Sequence, residues 1–377
     1  MEQSKWVLIG PVYPYKGGIS HYTGLMYRAL AKAHDVEMIS YRMQYPGFLF
    51  KREQRDYSND TFKVEGTKFL INTANPVNIM TTAGKIVKMK PEKVIIQWWH
   101  PYFAPCYRIL TGIIKRAGIE IVYICHNVFP HERFPLDKKL TRMALKRADR
   151  YILHAQGEVK DLLSIKPDAD YKVQVHPTYS TFNFDDLDRH SAREMLGIPD
   201  DEDVMLFFGF VREYKGLKHL LNAVHILKEK QYRDRQVPRL YVVGDFDGNR
   251  EEYLTLMDKL KISDDIRLID GYVPDKEVEK YFSSADLVVL PYESATQSGI
   301  VQIAYGFRKP VIVTDVGGLP EVVEDDVTGM IVPPFDDEAL ADAICKYFDE
   351  GRKDRYIKGI SEREYRFSWD RMTEALE

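Results

Sequence analysis

The sequence predicts an α/β fold with two doubly wound, Rossmann-like domains facing across a cleft. Short apolar runs alternate with amphipathic helical stretches along nearly the whole chain, which is typical of parallel sheets covered by helices on both faces. The alternation is interrupted once, by a polar stretch at residues 177–203, which we predict to be a linker. The length of 377 residues also suits two domains better than one.

Apolar runs predict the strands of each half, and helical patterns lie between them. In the amino-terminal half the predicted strands are 6–9, 36–40, 94–98, 119–125, 151–154 and 173–176. The helices expected there are 22–32, 106–115 and 140–147. In the carboxy-terminal half the predicted strands are 204–208, 240–243, 266–269, 287–290 and 311–314. Its expected helices are 217–230, 251–260, 276–283, one from about 298, and 337–347.

Composition narrows the class of protein. The net charge of −4 gives no basic excess for nucleic acid. The three cysteines, Cys106, Cys125 and Cys345, have neither zinc-ligand spacing nor the even number of a disulfide framework. The first apolar stretch, 6–9, is too short for a signal peptide or a membrane span. We therefore expect a cytoplasmic protein.

Two common nucleotide motifs are absent where they would be expected. The loop after the first predicted strand, residues 10–18, lacks the G-x-G-x-x-G spacing, and the chain has no P-loop sequence. Gly17 and Gly18 still open a helix, and paired glycines let a backbone approach an anion or a sugar closely. A plain turn before the helix is the alternative.

The loop after strand 204–208 carries two cations at the start of a helix. Arg212 and Lys215 lie where free N–H groups and the helix dipole already favour an anion. A planar guanidinium and an ammonium there would suit a diphosphate, although a solvated basic turn is the alternative. A second helix start of this kind, with Ser298 as N-cap and the N–H groups of Gly299 and Ile300, follows strand 287–290. The sequence therefore predicts a pyrophosphate site.

A glycine pair, Gly317 and Gly318, follows the last predicted strand and leads to Glu321 on a short helix. The carboxylate of Glu321 would suit a ribose or sugar hydroxyl pair, or it is an exposed acid. An Asp-x-Asp pair, Asp245 and Asp247, lies in a turn, and we favour the turn over a metal site.

These segments together resemble the retaining glycosyltransferases of family 4, which have the GT-B fold. The resemblance covers most of the chain and is strongest from about 206 to 334. The motifs that carry it run in the order Arg212 with Lys215-Gly216, 242–244, 271–274, 284–286, 297–299, 310–311, 317–321 and 328–329. Each of these motifs would be weak on its own.

The resemblance implies roles in the carboxy-terminal half. Arg212 and Lys215 are expected to bind the donor diphosphate, and we expect them to assist catalysis. The segment 298–300 would hold the distal phosphate with backbone amides. Tyr272 and Val273 would lie beside the nucleobase.

The resemblance also implies roles in the amino-terminal half. Gly17 and Gly18 would close over the donor, and His126 would lie near the transferred sugar as a catalytic residue. His126 follows the strand 119–125, where the cleft is expected. On the acceptor side, His100 belongs to the aromatic segment 98–103, which would line an acceptor site or pack in the core.

One departure from the family pattern concerns two glutamates eight positions apart. Counting back from Pro310, those positions are Ala295 and Ile303, and neither is acidic. The chain resembles a sub-group in which a helix start beginning at Gln297 replaces the pair. We expect Gln297 to contact the donor, and Glu293 to substitute for the first glutamate.

The resemblance divides the chain into an acceptor-side domain, 1–185 with 362–377, and a donor-binding domain, 186–361. It implies transfer of a sugar from a nucleoside-diphosphate sugar, with retention, to a glycan or lipid-linked saccharide of a surface polysaccharide pathway. No cofactor or metal is expected. The alternatives are a nucleotide-sugar epimerase of the same architecture and a non-catalytic sugar-nucleotide-binding relative.

Peripheral contact with the inner face of the membrane is an open alternative to a purely soluble location. It depends on cations in two predicted helical stretches of the amino-terminal half, where they would meet anionic lipid or form a solvated face. These cations are Arg108, Lys115, Arg116, Lys138, Lys139, Arg142, Lys146 and Arg147.

Overall fold

The computed structural model describes residues 4–49, 53–57, 60–130, 135–230, 236–246 and 248–377. The chain forms two compact units. Unit 1 comprises Met1–Val175 with Ser368–Glu377, and unit 2 comprises His176–Phe367. Each unit is a parallel sheet with helices, so the prediction of two Rossmann-like α/β domains is confirmed.

Unit 1 contains a seven-stranded sheet in the order β3-β2-β1-β4-β5-β6-β7. Its strands are β1 Lys5–Ile9, β2 Asp35–Met43, β3 Lys68–Asn72, β4 Lys93–Trp98, β5 Glu120–Cys125, β6 Arg150–Leu153 and β7 Asp170–Val173. Its first helices are α1 Gly18–Leu30, α2 Pro76–Lys88, α3 Ala104–Arg116, α4 Asp137–Leu145 and α5 Gly157–Ile165.

Unit 2 contains a six-stranded sheet in the order β10-β9-β8-β11-β12-β13. Its strands are β8 Val204–Phe208, β9 Arg239–Gly244, β10 Ile266–Asp270, β11 Leu287–Leu290, β12 Val311–Thr314 and β13 Gly329–Val332. Its helices are α6 Arg189–Leu196, α7 Leu217–Glu229, α8 Arg250–Leu260, α9 Asp275–Ser284, α10 Gly299–Gly306, α11 Leu319–Val322, α12 Asp337–Asp349 and α13 Lys353–Glu362. The last helix, α14 Trp369–Glu374, belongs to unit 1 and packs on α1.

In each sheet the first strand in sequence lies in the interior, and the strand order reverses beside it. The reversal falls between β1 and β4 in unit 1 and between β8 and β11 in unit 2. The central strands β4, β8 and β11 are buried along their whole length. In open α/β sheets, the loops that follow the two strands at such a reversal form the usual ligand crevice.

The prediction that residues 177–203 form a linker is wrong, because this segment is folded into unit 2. It contains α6, in which Arg193 is fully buried and donates to Asp286 Oδ2 at 2.7 Å. The buried Glu279 carboxylate accepts the backbone N–H groups of Phe184, Asp185 and Leu187. These long-range partners explain why a polar stretch is ordered.

The unit boundaries fall at 175/176 and 367/368, ten residues before and six residues after the positions expected from the sequence. Two hydrogen bonds tie the early segment to unit 2. The Thr178 N–H donates to the Phe367 carbonyl at 2.9 Å, and the Tyr179 N–H donates to the Gln302 carbonyl at 3.3 Å. The residues at which the chain enters and leaves unit 2 therefore lie side by side.

Candidate functional site

The loops that follow β8 and β11 pack directly on each other at the strand-order reversal of unit 2. Gly216 adopts a positive φ of 66°, and a Cβ placed on it would lie 1.9 Å from the Pro291 carbonyl oxygen. The Glu293 N–H donates to the Tyr214 carbonyl at 2.7 Å. Only a residue without a side chain fits at the start of α7, so glycine is required for the two loops to meet.

Lys215 lies at the junction of these loops. A Cβ placed on Gly209 would lie 3.2 Å from Lys215 Nζ and 3.5 Å from Ile300 Cδ1, so the ammonium and the start of α10 are neighbours. The ammonium also lies 5.7 Å from the centroid of the Tyr292 ring. Burial and, to a smaller extent, repulsion from the nearby Arg212 guanidinium lower the pKa of Lys215 to about 8. Arg212 is exposed.

The start of α10 is capped as predicted. The buried Ser298 Oγ accepts from the Ile300 N–H at 3.2 Å and lies 3.4 Å from the Tyr292 hydroxyl. The sequence predicted that the Ile300 N–H would point at an anion, but it donates to its own cap. Gly299 is half-buried, and a Cβ placed on it would lie 3.8 Å from the Tyr179 ring.

The loop after β12 completes this edge of the sheet. Gly317 has a φ of 53°, and a Cβ placed on it would lie 1.5 Å from the Ala295 carbonyl oxygen. The Gly318 N–H donates to the Thr296 carbonyl at 2.9 Å. Gln297 lies in the loop after β11, which these contacts fix in place, and Glu321 lies on α11. Both side chains are half-buried.

Glu293 faces α7. Its carboxylate lies 2.8 Å from Lys218 Nζ and 3.4 Å from His219 Nε2. His219 Nδ1 in turn lies 2.6 Å from Asp337, which also accepts from Asn222 at 2.7 Å. The sequence did not reveal this network, because Asp337 lies 118 residues from His219 in the chain.

Tyr272 and Val273 follow β10 at the edge of the sheet. The Gly271 N–H donates to the Gly244 carbonyl at 3.1 Å, and a Cβ placed on Gly244 would lie 1.9 Å from the Gly209 carbonyl oxygen. The loops after β10, β9 and β8 therefore lie side by side. Tyr272 is 43% exposed, which leaves its ring accessible to a planar ligand.

In unit 1, Gly17 and Gly18 begin α1 after β1. Gly17 has a φ of 106°, which favours glycine, whereas the φ of Gly18 is not positive. A Cβ placed on either residue would meet nothing within 4 Å. Contacts within the described residues therefore do not explain the glycine at position 18.

His126 directly follows β5 and is half-buried. Its N–H continues the sheet by donating to the Trp98 carbonyl at 2.9 Å, and its Nε2 lies 2.8 Å from Gln97 Oε1. The Tyr22 ring packs edge-to-face against the imidazole at 4.7 Å. The adjacent His154 ring, 5.4 Å away, has its pKa lowered to about 4 by burial.

His100 has a structural contact within its own segment. Its Nδ1 accepts from the Tyr102 N–H at 3.1 Å and so caps the short 3₁₀ helix Pro101–Phe103. Burial lowers the pKa of His100. Trp98 is fully buried in the core, where its Nε1–H donates to the Val128 carbonyl at 3.2 Å.

Sequence reasoning missed Gln97, Tyr292 and His219. The signal for Gln97 was a single amide in the apolar run 94–99, and for Tyr292 it was an aromatic residue directly after a buried strand. Among the described residues, no group of three or more His, Cys, Asp or Glu side chains is placed to hold a metal ion. Asp247 lies outside the described residues. No described helix has the length and apolar character needed to span a membrane.

Three comparisons place these features among known proteins. Residues 188–363 match the family model described as Glycosyl transferases group 1. D-inositol 3-phosphate glycosyltransferase of Saccharomonospora viridis is 29% identical over 277 residues, which cover 69% of this chain and 64% of that protein. The chain therefore aligns with less than two thirds of this relative's length.

Solved structures also match nearly the whole chain, and two of them are given as examples. HepE of Anabaena, solved in complex with UDP, has a TM-score of 0.73 and 16% identity, covering 99% of both chains. Sucrose-phosphate synthase of Thermosynechococcus elongatus has a TM-score of 0.69 and 18% identity, covering 99% of this chain and 97% of that one. The protein thus has the fold of GT-B glycosyltransferases, and its residues 188–363 are similar to the Glycosyl transferases group 1 family.

Proposed function

We propose that the protein is a retaining glycosyltransferase of family 4 that moves a sugar from a nucleoside-diphosphate sugar to an acceptor. One observation carries the proposal. The half-buried Lys215 ammonium lies beside the start of α10, at the strand-order reversal of a glycosyl transferases group 1 domain. The complex of HepE with UDP and the relatedness to a glycosyltransferase support a nucleotide-sugar donor.

The leaving group of the proposed reaction is a nucleoside diphosphate, on which negative charge grows as the glycosidic bond breaks. Lys215, Arg212 and the first turn of α10 would stabilise that charge without needing to reorganise. This arrangement supports metal-independent transfer. We infer that the acceptor attacks from the same face as the departing phosphate, which assists by accepting the acceptor's proton. A trapped covalent glycosyl-enzyme would contradict this mechanism.

The remaining donor contacts are assigned by position. Tyr272 and Val273 would border the base, and Glu321 and Gln297 would bind hydroxyls near the start of α10. Glu293 would contribute only if it turned away from Lys218 and His219, which now hold its carboxylate. In unit 1, Gly17, Gly18 and His126 would contact the donor.

For the acceptor we propose a glycan or lipid-linked saccharide of a surface polysaccharide pathway, with His100 near the acceptor. Helices α3 and α4 pack against each other and expose cations, among them Arg108, Lys139 and Arg142. Such a face would attract anionic lipid from the cytoplasmic side. Co-sedimentation with vesicles containing phosphatidylglycerol, but not with neutral vesicles, would support peripheral binding. Equal binding to both, or to neither, would contradict it.

A donor screen tests the proposed function. Thermal shifts with several nucleoside-diphosphate sugars should identify one that stabilises the fold, by about 2.7 kcal/mol at a hundred times its Kd. Transfer to a panel of saccharide acceptors should follow, with the anomeric configuration of the product read by NMR. Inversion of the free nucleotide sugar without an acceptor would indicate an epimerase. Donor binding without turnover on any acceptor would indicate a non-catalytic relative.

A further inference from the structure

Gln97 is a polar side chain in the interior of unit 1. It is the fifth residue of β4, where every residue is buried, and its own exposure is 0%. Its neighbours in the strand, Ile95 and Ile96, are apolar. An amide removed from water is costly unless its polar atoms find partners. The contacts of this amide therefore indicate why an apolar residue does not occupy the position.

The fold makes room for Gln97 at the end of β1. A Cβ placed on Gly10 would lie 2.6 Å from Gln97 Cγ and 2.9 Å from Thr23 Oγ1. The glutamine side chain thus occupies the volume that any other residue at position 10 would fill. Because the space is tight, the direction of the amide is restricted.

The amide has one partner on each side. Oε1 lies 2.8 Å from His126 Nε2, and Nε2 donates to Met26 Sδ at 3.6 Å. A thioether sulfur accepts weakly and cannot donate, so the NH₂ group belongs on the Met26 side. The carbonyl oxygen then faces the imidazole. A carbonyl oxygen only accepts, which requires the proton of a neutral His126 to lie on Nε2.

We propose that Gln97 is a positioning residue that holds His126 as the Nε2-protonated tautomer, so that Nδ1 accepts a hydrogen bond from a hydroxyl of the donor sugar. The sugar contact rests on the proposed function, whereas the tautomer does not. A carboxylate in this position would favour the imidazolium, as in a catalytic triad. A neutral amide fixes the orientation without adding charge.

Two described neighbours of His126 carry no charge. Tyr22 on α1 packs against it at 4.7 Å, and His154 after β6 lies 5.4 Å away. Burial keeps His154 neutral at physiological pH, since its pKa is about 4. The Tyr22 ring lies nearly perpendicular to the imidazole, so it restricts rotation of the imidazole without supplying a charge.

The tautomer is tested by ¹⁵N NMR of histidine-labelled, ligand-free protein. Wild type should show a protonated Nε2 and an unprotonated Nδ1 at His126, and Gln97→Met should show rapid exchange between the two tautomers. Gln174→Met is the matched control, because Gln174 is also buried in unit 1 but contacts His154 through its backbone carbonyl. A protonated Nδ1 in wild type, or an unchanged spectrum in folded Gln97→Met, would overturn the proposal.

Gln97→Glu provides a second variant of nearly equal shape, which also serves if Gln97→Met does not fold. The carboxylate should raise the pKa of His126 by roughly one unit or more in an NMR titration. An unchanged pKa in this variant would contradict the contact. The titration needs no substrate, so it stays informative if the proposed function fails.

Kinetics connect the tautomer to the reaction. With the identified donor, Gln97→Met should lower kcat roughly 10- to 100-fold with a smaller change in the KM of the donor. Gln97→Glu should lose activity near neutral pH, where His126 is an imidazolium, and recover it as the pH rises above the raised pKa. A flat pH profile for this variant would contradict the proposed role of Nδ1. If the NMR results hold and no donor is turned over, the proposed function fails and the positioning role stands.

Discussion

The two units share one sheet topology but place different chemistry at the carboxyl ends of their strands. In both, the first strand is internal and the strand order reverses beside it. At this edge unit 2 has Arg212 and the half-buried Lys215, surrounded by loops in van der Waals contact. At the corresponding edge unit 1 has His126, which is bonded to the neutral amide of Gln97.

If the proposed function holds, this difference indicates which part of a sugar nucleotide each edge would bind. Diphosphate charge is best met by fixed cations and amides in a site with little water. A sugar ring carries hydroxyls and no charge, so an oriented neutral acceptor suits it better than an ion. Under the proposed function, the same architecture would supply two different sites through the residues at its strand ends.

The largest effect is expected from removing the charge of Lys215 at the carboxyl edge of the unit 2 sheet. Lys215→Met should lower kcat/KM for the donor roughly 100- to 1,000-fold, because the ammonium would no longer stabilise the leaving diphosphate. Steady-state kinetics with the donor found in the screen measure this loss. Lys230→Met is the matched control, since Lys230 lies at the opposite end of α7 and pairs with Glu338. Equal losses of kcat/KM in both variants would contradict a role for Lys215 in binding the diphosphate.

The second prediction compares glycines of the two edges. Gly317→Ala should lower the free energy of unfolding by about 1–3 kcal/mol, since its Cβ would collide with the Ala295 carbonyl and its φ is 53°. Gly18→Ala should change stability by less than about 0.5 kcal/mol but reduce donor turnover. Urea denaturation measures the first effect, and kinetics measure the second. Full activity of Gly18→Ala would contradict a donor contact at position 18.

The third prediction concerns pH. The pKa of Lys215 is about 8, so its ammonium is charged below that value and loses its proton above it. Donor affinity should therefore be constant below pH 8 and fall about tenfold for each pH unit above it, if only the charged form binds. Calorimetry across this range measures the affinity. Lys215→Arg should abolish the decline because a guanidinium stays charged, and a decline that persists in this variant would point to another group.

The smallest effect concerns the cap of α10. Ser298→Ala removes the acceptor of the Ile300 N–H and should lower the free energy of unfolding by about 1 kcal/mol. Donor affinity should weaken modestly, because the first turn of the helix becomes less ordered. Thermal denaturation with and without donor separates the two contributions. In Ser298→Thr, which keeps a capping hydroxyl, both should stay close to wild type.

The sequence predicted the features that depend on neighbours in the chain. The buried strands β4, β5, β8 and β11 read as apolar runs, and the start of α10 was visible as a capping serine before a glycine. The edge strand β3 was missed because its apolar run, 69–71, spans only three residues, and most residues of the strand are exposed or half-buried. β7, expected at 173–176, lies at Asp170–Val173, because an edge strand alternates between exposed and half-buried residues.

Features that depend on distant partners could not be predicted. The polar segment 177–203 became ordered through Arg193 and Glu279, whose partners lie about 90 residues away. Glu293 was expected to face a ligand, but His219 and Lys218 approach it from α7. The role of Gln97 could not be predicted from its neighbours in the chain, because its partner His126 is placed beside it by the neighbouring strand β5. In each case a three-dimensional partner determines what the residue does.

The hydrogen bond between the Thr178 N–H and the Phe367 carbonyl has a consequence for how such proteins diversify. It holds the two ends of unit 2 together, so this unit is an insertion whose excision would leave neighbouring ends in unit 1. Domains with adjacent termini are the ones most readily moved between chains. Recombination at residues 176 and 367 would exchange the whole of unit 2 while leaving every strand of unit 1 intact.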